Sequence, residues 1–263
     1  MKNKKILKIV VPIILIILLC LVVLNSKEQI ASILESISNN FNRTLVDEQR
    51  YLLIIDGIKA TLILSLFSII IGTILGAIIC YFHKSKFKII RILIKAFINF
   101  MQGTPITVLL LIFYYVFFGK INIEPMIVGI IAFSIYFSVY VAEIARASID
   151  SINKSQIMAA KSLGFNKWQI IRYIFLPQAM SYMLPTYKNE VVTLIKLTSI
   201  GGYISIFELT KAADVIRNRT YEAFFSLILT AVIYFLICKF VTVVLDIINK
   251  KINPRIQKRK LVK

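Results

Sequence analysis

Within a largely apolar chain, one stretch concentrates groups able to bind a charged solute. Asn189, Glu190, Thr193, Lys196, Thr198 and Ser199 all fall within residues 184–209. On a helical wheel Asn189, Thr193 and Lys196 cluster, and Ser199 and Gly202 continue the stripe. An ammonium, a carboxylate, an amide and hydroxyls offer ion pairs and hydrogen bonds. That is the chemistry of holding or passing a zwitterion, not of breaking a covalent bond. Such a face has no place against lipid, so it either seals helix contacts or lines a passage. Glu143 and Arg146 stand three apart in another apolar run and are spaced to pair. Gln102, Thr104, Thr61 and Ser65 complete the candidate set. The last two lie four apart, with hydroxyls that turn inward or bond back to their own backbone.

Catalysis has no comparable constellation. The sequence contains no glycine-rich phosphate loop ending in Lys and Ser/Thr, no His-Glu-x-x-His and no nucleophile elbow. Cys20, Cys80 and Cys238 each sit inside an apolar run without metal-ligand spacing, and they read as small buried hydrophobes. The lone His83 borders a lysine-rich turn and reads as an interfacial residue. No metal or cofactor is expected on this chain.

The elements that must position these groups are apolar spans. Of 263 residues 58% are hydrophobic and 17% charged, against about a quarter charged in a soluble domain. Mean hydropathy is +0.80, which points to an all-α polytopic membrane protein. The net charge of +19 does not indicate a nucleic-acid partner, because the lysines sit between apolar runs and not along one face. Membrane lipid is the expected counter-surface.

Read in order, residues 1–25 are expected to form a signal-anchor helix, with Lys2, Lys4, Lys5 and Lys8 inside. Residues 26–51 form an outside connection. A second span covers 60–82, with Gly72 and Gly76 placed to let another helix approach. Lys84, Lys86, Lys88 and Arg91 mark an inside turn. The third span, within 96–119, is interrupted by Gly103-Thr104-Pro105, which predicts a kink or a re-entrant start. A fourth span runs from Met126 to the Glu143 region, a fifth covers 184–209, residues 210–220 read as an outside connection, and a last span covers 223–245. The 251–263 tail is basic, suited to anionic lipid on the inside. Six spans place both ends inside.

Between the fourth and fifth spans lies SQIMAAKSLGFNKWQIIRYIFLP, residues 155–177. Ser155 is placed to cap a first short helix, and Gly164 to end it in a left-handed conformation. Asn166 and Gln169 can form a capping box for a second helix, and Pro177 is expected to separate that helix from the next span. Ile157, Ala160, Leu163 and Phe165 are expected to face one way.

This segment resembles the cytoplasmic EAA loop of ABC importer permeases. Ala159 and Ala160 are followed after three residues by Gly164, and after nine more by Ile174-Phe175-Leu176-Pro177. Flanking stretches resemble the polar amino acid branch: Gly103-Thr104-Pro105, Tyr140-Val141-Ala142-Glu143-Ile144, Leu176-Pro177-Gln178-Ala179 and Lys196-Leu197-Thr198-Ser199-Ile200. Three departures stand out. Met158 replaces the leading Glu of the loop, Gln102 an Arg common before Gly-Thr-Pro, and Leu197 the Asp usual after the Lys.

The resemblance implies a five-helix permease core within residues 52–250, preceded here by the anchor, in a bacterial cell membrane. It implies a non-enzymatic subunit of an ATP-driven amino acid importer. Met158, Ala159, Ala160, Lys161, Leu163 and Gly164 would couple it to two ATP-binding cassette subunits, which carry the ATP and magnesium. A second permease copy or sister permease and an extracytoplasmic amino-acid-binding protein complete the implied assembly. The residues alone also admit a non-transporting scaffold, with the 189–199 stripe fully self-paired. An ion-coupled secondary transporter is admitted too, but it leaves the 155–177 loop without a role.

Overall fold

The computed structural model describes residue 35 and residues 38–252, and among these every regular element is helical. The expected anchor at 1–25, much of the 26–51 connection and nearly all of the 251–263 tail lie outside the described residues.

Helix α1, Tyr51–His83, is 33 residues long, about 50 Å at 1.5 Å per residue. Helix α4, Pro125–Asp150, lies against it. Glycine sets their separation: a Cβ at Gly72 would stand 2.8 Å from the Ser134 carbonyl oxygen, and one at Gly76 would stand 2.6 Å from Val141 Cβ. Where lipid is the solvent, apolar burial drives helices together weakly, so this close van der Waals contact supplies much of the cohesion. Ser68 Oγ adds a bond across the seam to the Ile130 carbonyl. Leu64, Phe133, Phe137, Leu194, Ile195 and Ile204 form the centre of the core.

The third expected span is two helices. Helix α2, Lys88–Gly103, ends at Thr104 and Pro105, whose backbones are extended. Helix α3, Ile106–Leu111, with its π continuation Ile112–Phe117, leaves at 106°. The expected interruption is a sharp bend, because Pro105 lacks a donor and drives Thr104 out of the helical region. Most of α2 remains exposed, with only Ile98 and Met101 buried.

Beyond α4 come α5, Lys154–Ser162, and α6, Lys167–Ile170. A π segment, Ile171–Phe175, joins α6 to α7, Leu176–Leu197, which tightens into a 3-10 turn, Thr198–Ile204. Pro177 therefore does not separate the second short helix from the span. It occupies the first turn of α7, where its missing N–H is tolerated.

The 210–220 connection is a further helix, α8, Leu209–Thr220, set at 53° to the preceding rod. Leu209, Ala212, Ala213 and Ile216 bury its inner face, and Gly57 of α1 meets Leu209 so closely that a Cβ would stand 2.9 Å from its Cα. Helix α9, Ala223–Ile252, completes the bundle. Among the described residues, α1, α4 and α9 are each long and apolar enough to cross a membrane, and there are up to five crossings if each bent pair counts as one.

Candidate coupling hairpin and translocation face

The hairpin between α4 and α7 is built from backbone chemistry local to it. Asn153, not Ser155, caps α5: its side chain accepts from the Ser155 N–H at 2.9 Å. Gly164 holds a φ of +80°, and the Phe165 N–H donates to the Ala160 carbonyl while the Gly164 N–H donates to that of Lys161. This pair of bonds is a Schellman end, available without strain only to glycine. The capping box forms as expected: Gln169 N–H donates to Asn166 Oδ1 and Asn166 N–H to Gln169 Oε1, both at 2.8 Å.

The apolar residues of the hairpin do not share a face. Ala160 is buried and Ile157 partly so, whereas Met158 is 60% and Leu163 78% exposed, as Trp168 also is at 68%. Ala159, Lys161 and Gly164 are exposed too. Ala160 thus closes the turn from within, while Met158, Ala159, Lys161 and Leu163 are presented outward. A side-chain amide bond ties the hairpin to α7, with Gln178 Nε2 donating to Gln156 Oε1 at 2.7 Å and to the Ile174 carbonyl at 3.0 Å. Nothing in the sequence pattern marks this tie.

Two ends of the molecule are thereby fixed. The close of α1 meets the close of α4 through the Lys84–Asp150 ion pair at 2.8 Å, immediately before the hairpin. Helix α8 packs on the opposite end of α1, at Ile54 and Gly57.

Helix α7 carries the polar stripe. Asn189 and Lys196 are exposed, Thr193 and Ser199 half-exposed, and Glu190 sits on the edge of the stripe. Tyr182 and Thr186 extend it toward the hairpin, completing an i, i+4, i+7, i+11, i+14 line through Lys196 that starts two turns before the first expected residue. The opposite side of α7 is core: Val191, Leu194 and Ile195 are buried, and Tyr187 bonds Thr73 at 2.7 Å. Lys188 pairs with Asp246 of α9 at 2.7 Å. Among the described residues the side chain of Lys196 has neither a hydrogen bond nor an ion pair.

Glu143 pairs with Arg146 through two bonds, 2.7 and 3.1 Å. With Ser148, Ser151, Tyr182 and Thr186 it lines a cavity of about 410 Å³ between α4 and α7. The remaining candidates separate from the stripe. Thr61 is fully buried and accepts the Leu209 N–H at 3.1 Å. Ser65 and Thr198 are buried, bonded to the Leu62 and Ile195 carbonyls. Thr104 bonds the Phe100 carbonyl, and Gln102 is exposed near the end of α2. One carboxylate outside the expected set, Glu208, is fully buried. It accepts from the N–H groups of Thr210 and Lys211 and from Tyr234 Oη, capping α8.

A helical membrane protein with a polar face on one span, and a capped external hairpin fused to that same span, has the form of a transport subunit. The chain belongs to the binding-protein-dependent transport system inner membrane components, a family match that covers residues 68–256. Members of this family are the non-catalytic membrane subunits of ABC importers, and separate subunits hydrolyse the ATP.

Its relatives include the probable amino-acid ABC transporter permease protein YckA of Bacillus subtilis, 38% identical over 80% of this chain and 93% of that protein. The putative glutamine transport system permease protein GlnP of Rickettsia typhi is 30% identical over 77% of this chain and 94% of its own. Among solved structures, an amino acid ABC transporter crystallised with histidines has a chain 34% identical, with a TM-score of 0.68 over 76% of this chain and 94% of that one. The MetNI methionine ABC transporter, 19% identical with a TM-score of 0.65, shares the fold.

Proposed function

We propose that this chain is the permease subunit of an ATP-driven amino acid importer, with the α5–α6 hairpin docked on a cytoplasmic ATPase and the α7 stripe facing the solute. The observation that carries this reading is covalent continuity. The hairpin presents Met158 and Leu163 to a partner, and its second helix, α6, runs without a break into the helix that bears Asn189, Thr193 and Lys196. Movement of the docked partner is transmitted as movement of the polar face.

The protein works with an ATPase and a substrate-binding protein, as its family does. The uncovered polar face supports a finer reading of the assembly. A polar stripe exposed along a span is covered by a second permease, identical or related, with the solute path between the two. ATP and magnesium reside on two ATPase subunits, and this chain holds none. The hairpin end lies in the cytoplasm together with both termini, and α8 faces the outside, where the binding protein delivers the amino acid.

Uptake into vesicles that contain the permease with its co-purifying ATPase and binding protein tests this function. ATP-dependent accumulation of at least one member of an amino acid panel is expected. Accumulation that follows an ion gradient and ignores ATP overturns it. Cysteines placed at Lys86 and Arg219 are expected to label from the cytoplasmic and outer sides respectively, and the reverse pattern refutes the orientation.

A further inference from the structure

We propose that the cleft on the ATPase that receives α5 carries an acidic rim around an apolar seat, its carboxylates paired with Lys154 and Lys161 of this chain. This rests on the docking reading above and adds the chemistry of the partner's surface.

Lys154, Met158 and Lys161 are spaced i, i+4 and i+7, one line along α5. Ala160 is buried on the side toward the protein, and Ile157, half-buried, lies between it and the outward line. All three residues of the outward line are exposed, and neither lysine has a hydrogen bond or ion pair among the described residues. Where the resembled loop has a Glu, this chain has Met158. A carboxylate there would lie one turn from each lysine and pair with both within the helix. The thioether leaves two ammonium groups unneutralised. No Asp or Glu occurs from residue 151 to 189, so no other part of the hairpin supplies one, and Lys167 and Arg172 only add to the positive charge.

The arrangement fits a protein cleft and not a bilayer surface. A helix lying in headgroups segregates its apolar residues from its lysines, placing them on separate faces. Here the exposed methionine lies between the lysines on a single line, and Leu163 is exposed at the hairpin tip. A surface that meets both must present negative and apolar groups side by side, and a flexible thioether adapts to such a seat.

The test measures the dissociation constant between the permease in nanodiscs of zwitterionic lipid and its co-purifying ATPase. The double variant Lys154→Glu/Lys161→Glu is expected to bind on the order of tenfold more weakly, as two pairs turn into two repulsions. The Lys154→Gln/Lys161→Gln variant is expected to fall between, with a shallower dependence on salt than the wild type. Both variants should unfold at the wild-type temperature. Unchanged binding by the Glu variant, while Leu163→Asp abolishes it, overturns the acidic rim and leaves docking intact. Unchanged binding in all of these variants removes the hairpin from docking altogether. A defect seen only in nanodiscs with anionic lipid assigns the lysines to headgroups and also overturns the proposal.

Discussion

Replacing Gly164 isolates the conformation of the hairpin from its contacts. Its φ is +80°, and a Cβ added there meets no atom of this chain within 4 Å, so any cost within the chain comes from the backbone alone. Holding an L-residue in the left-handed region costs about 1–2 kcal/mol, less for Asn and more for a β-branched side chain. The hairpin end is closed by two backbone bonds of 3.0 and 3.1 Å. A penalty of that size therefore reduces the closed form about 5- to 30-fold relative to opened forms. Coupled ATP turnover and uptake are expected to fall in the order Gly164→Asn, Gly164→Ala, Gly164→Val. The thermal unfolding of the bundle and the insertion of the spans should not change, because the position touches none of them. Wild-type turnover in the Val variant refutes the reasoning. A bundle destabilised along with the loss of turnover refutes it as well, since the effect would then not be local.

Gly76→Ala is expected to lower stability by about 1–3 kcal/mol, because its Cβ would fall 2.6 Å from Val141 Cβ and force α1 and α4 apart. Gly103→Ala, with nothing within 4 Å, serves as the control in the same detergent melt. Glu208→Leu strands the Thr210 and Lys211 N–H groups and should cost about 1–3 kcal/mol. Glu208→Gln keeps one acceptor and should cost less, so equal melting temperatures for both variants would contradict the capping role. Lys196→Met is expected to preserve the fold and the yield of the ATPase complex while sharply reducing uptake. Loss of the complex would instead place Lys196 in a structural ion pair with a neighbouring subunit.

The hairpin is legible in the sequence because its determinants are local. Asn166, Gln169 and Gly164 act within a few residues of themselves, and each takes the role its chemistry suggests. The first cap falls two residues ahead of the expected Ser155 because Asn153 and Ser155 are both competent, and only the path of the chain decides between them. Helix α8 reads as a connection because Lys211, Asp214, Arg217 and Arg219 dominate its composition. Two of its buried residues, Ala212 and Ala213, make only a faint apolar signal, and the small size of Ala212 fits it to Gly57 of α1. The hydroxyl of Thr61 suggests a path residue, yet it serves a structural bond. Its partner, the Leu209 N–H, is 148 positions away, and no periodicity reveals such a contact. The stripe itself is visible in part, since polar residues at helical spacing in an apolar run must turn toward protein or water.

The unbroken helical path Lys167–Ile204 acts as a crank as well as a strut. Each residue advances an α-helix by about 100°, so the angle between the side of the rod seized at its base and the side turned to the solute is set by a residue count. The π segment Ile171–Phe175 enters that count, since a wider turn shifts the phase of everything beyond it. Deleting a single residue from this segment would leave every cap and every polar group present, yet aim Asn189, Thr193 and Lys196 toward the core or the lipid. Chimeras between permeases should therefore be joined outside this rod. A splice within it preserves phase only when the number of residues is conserved.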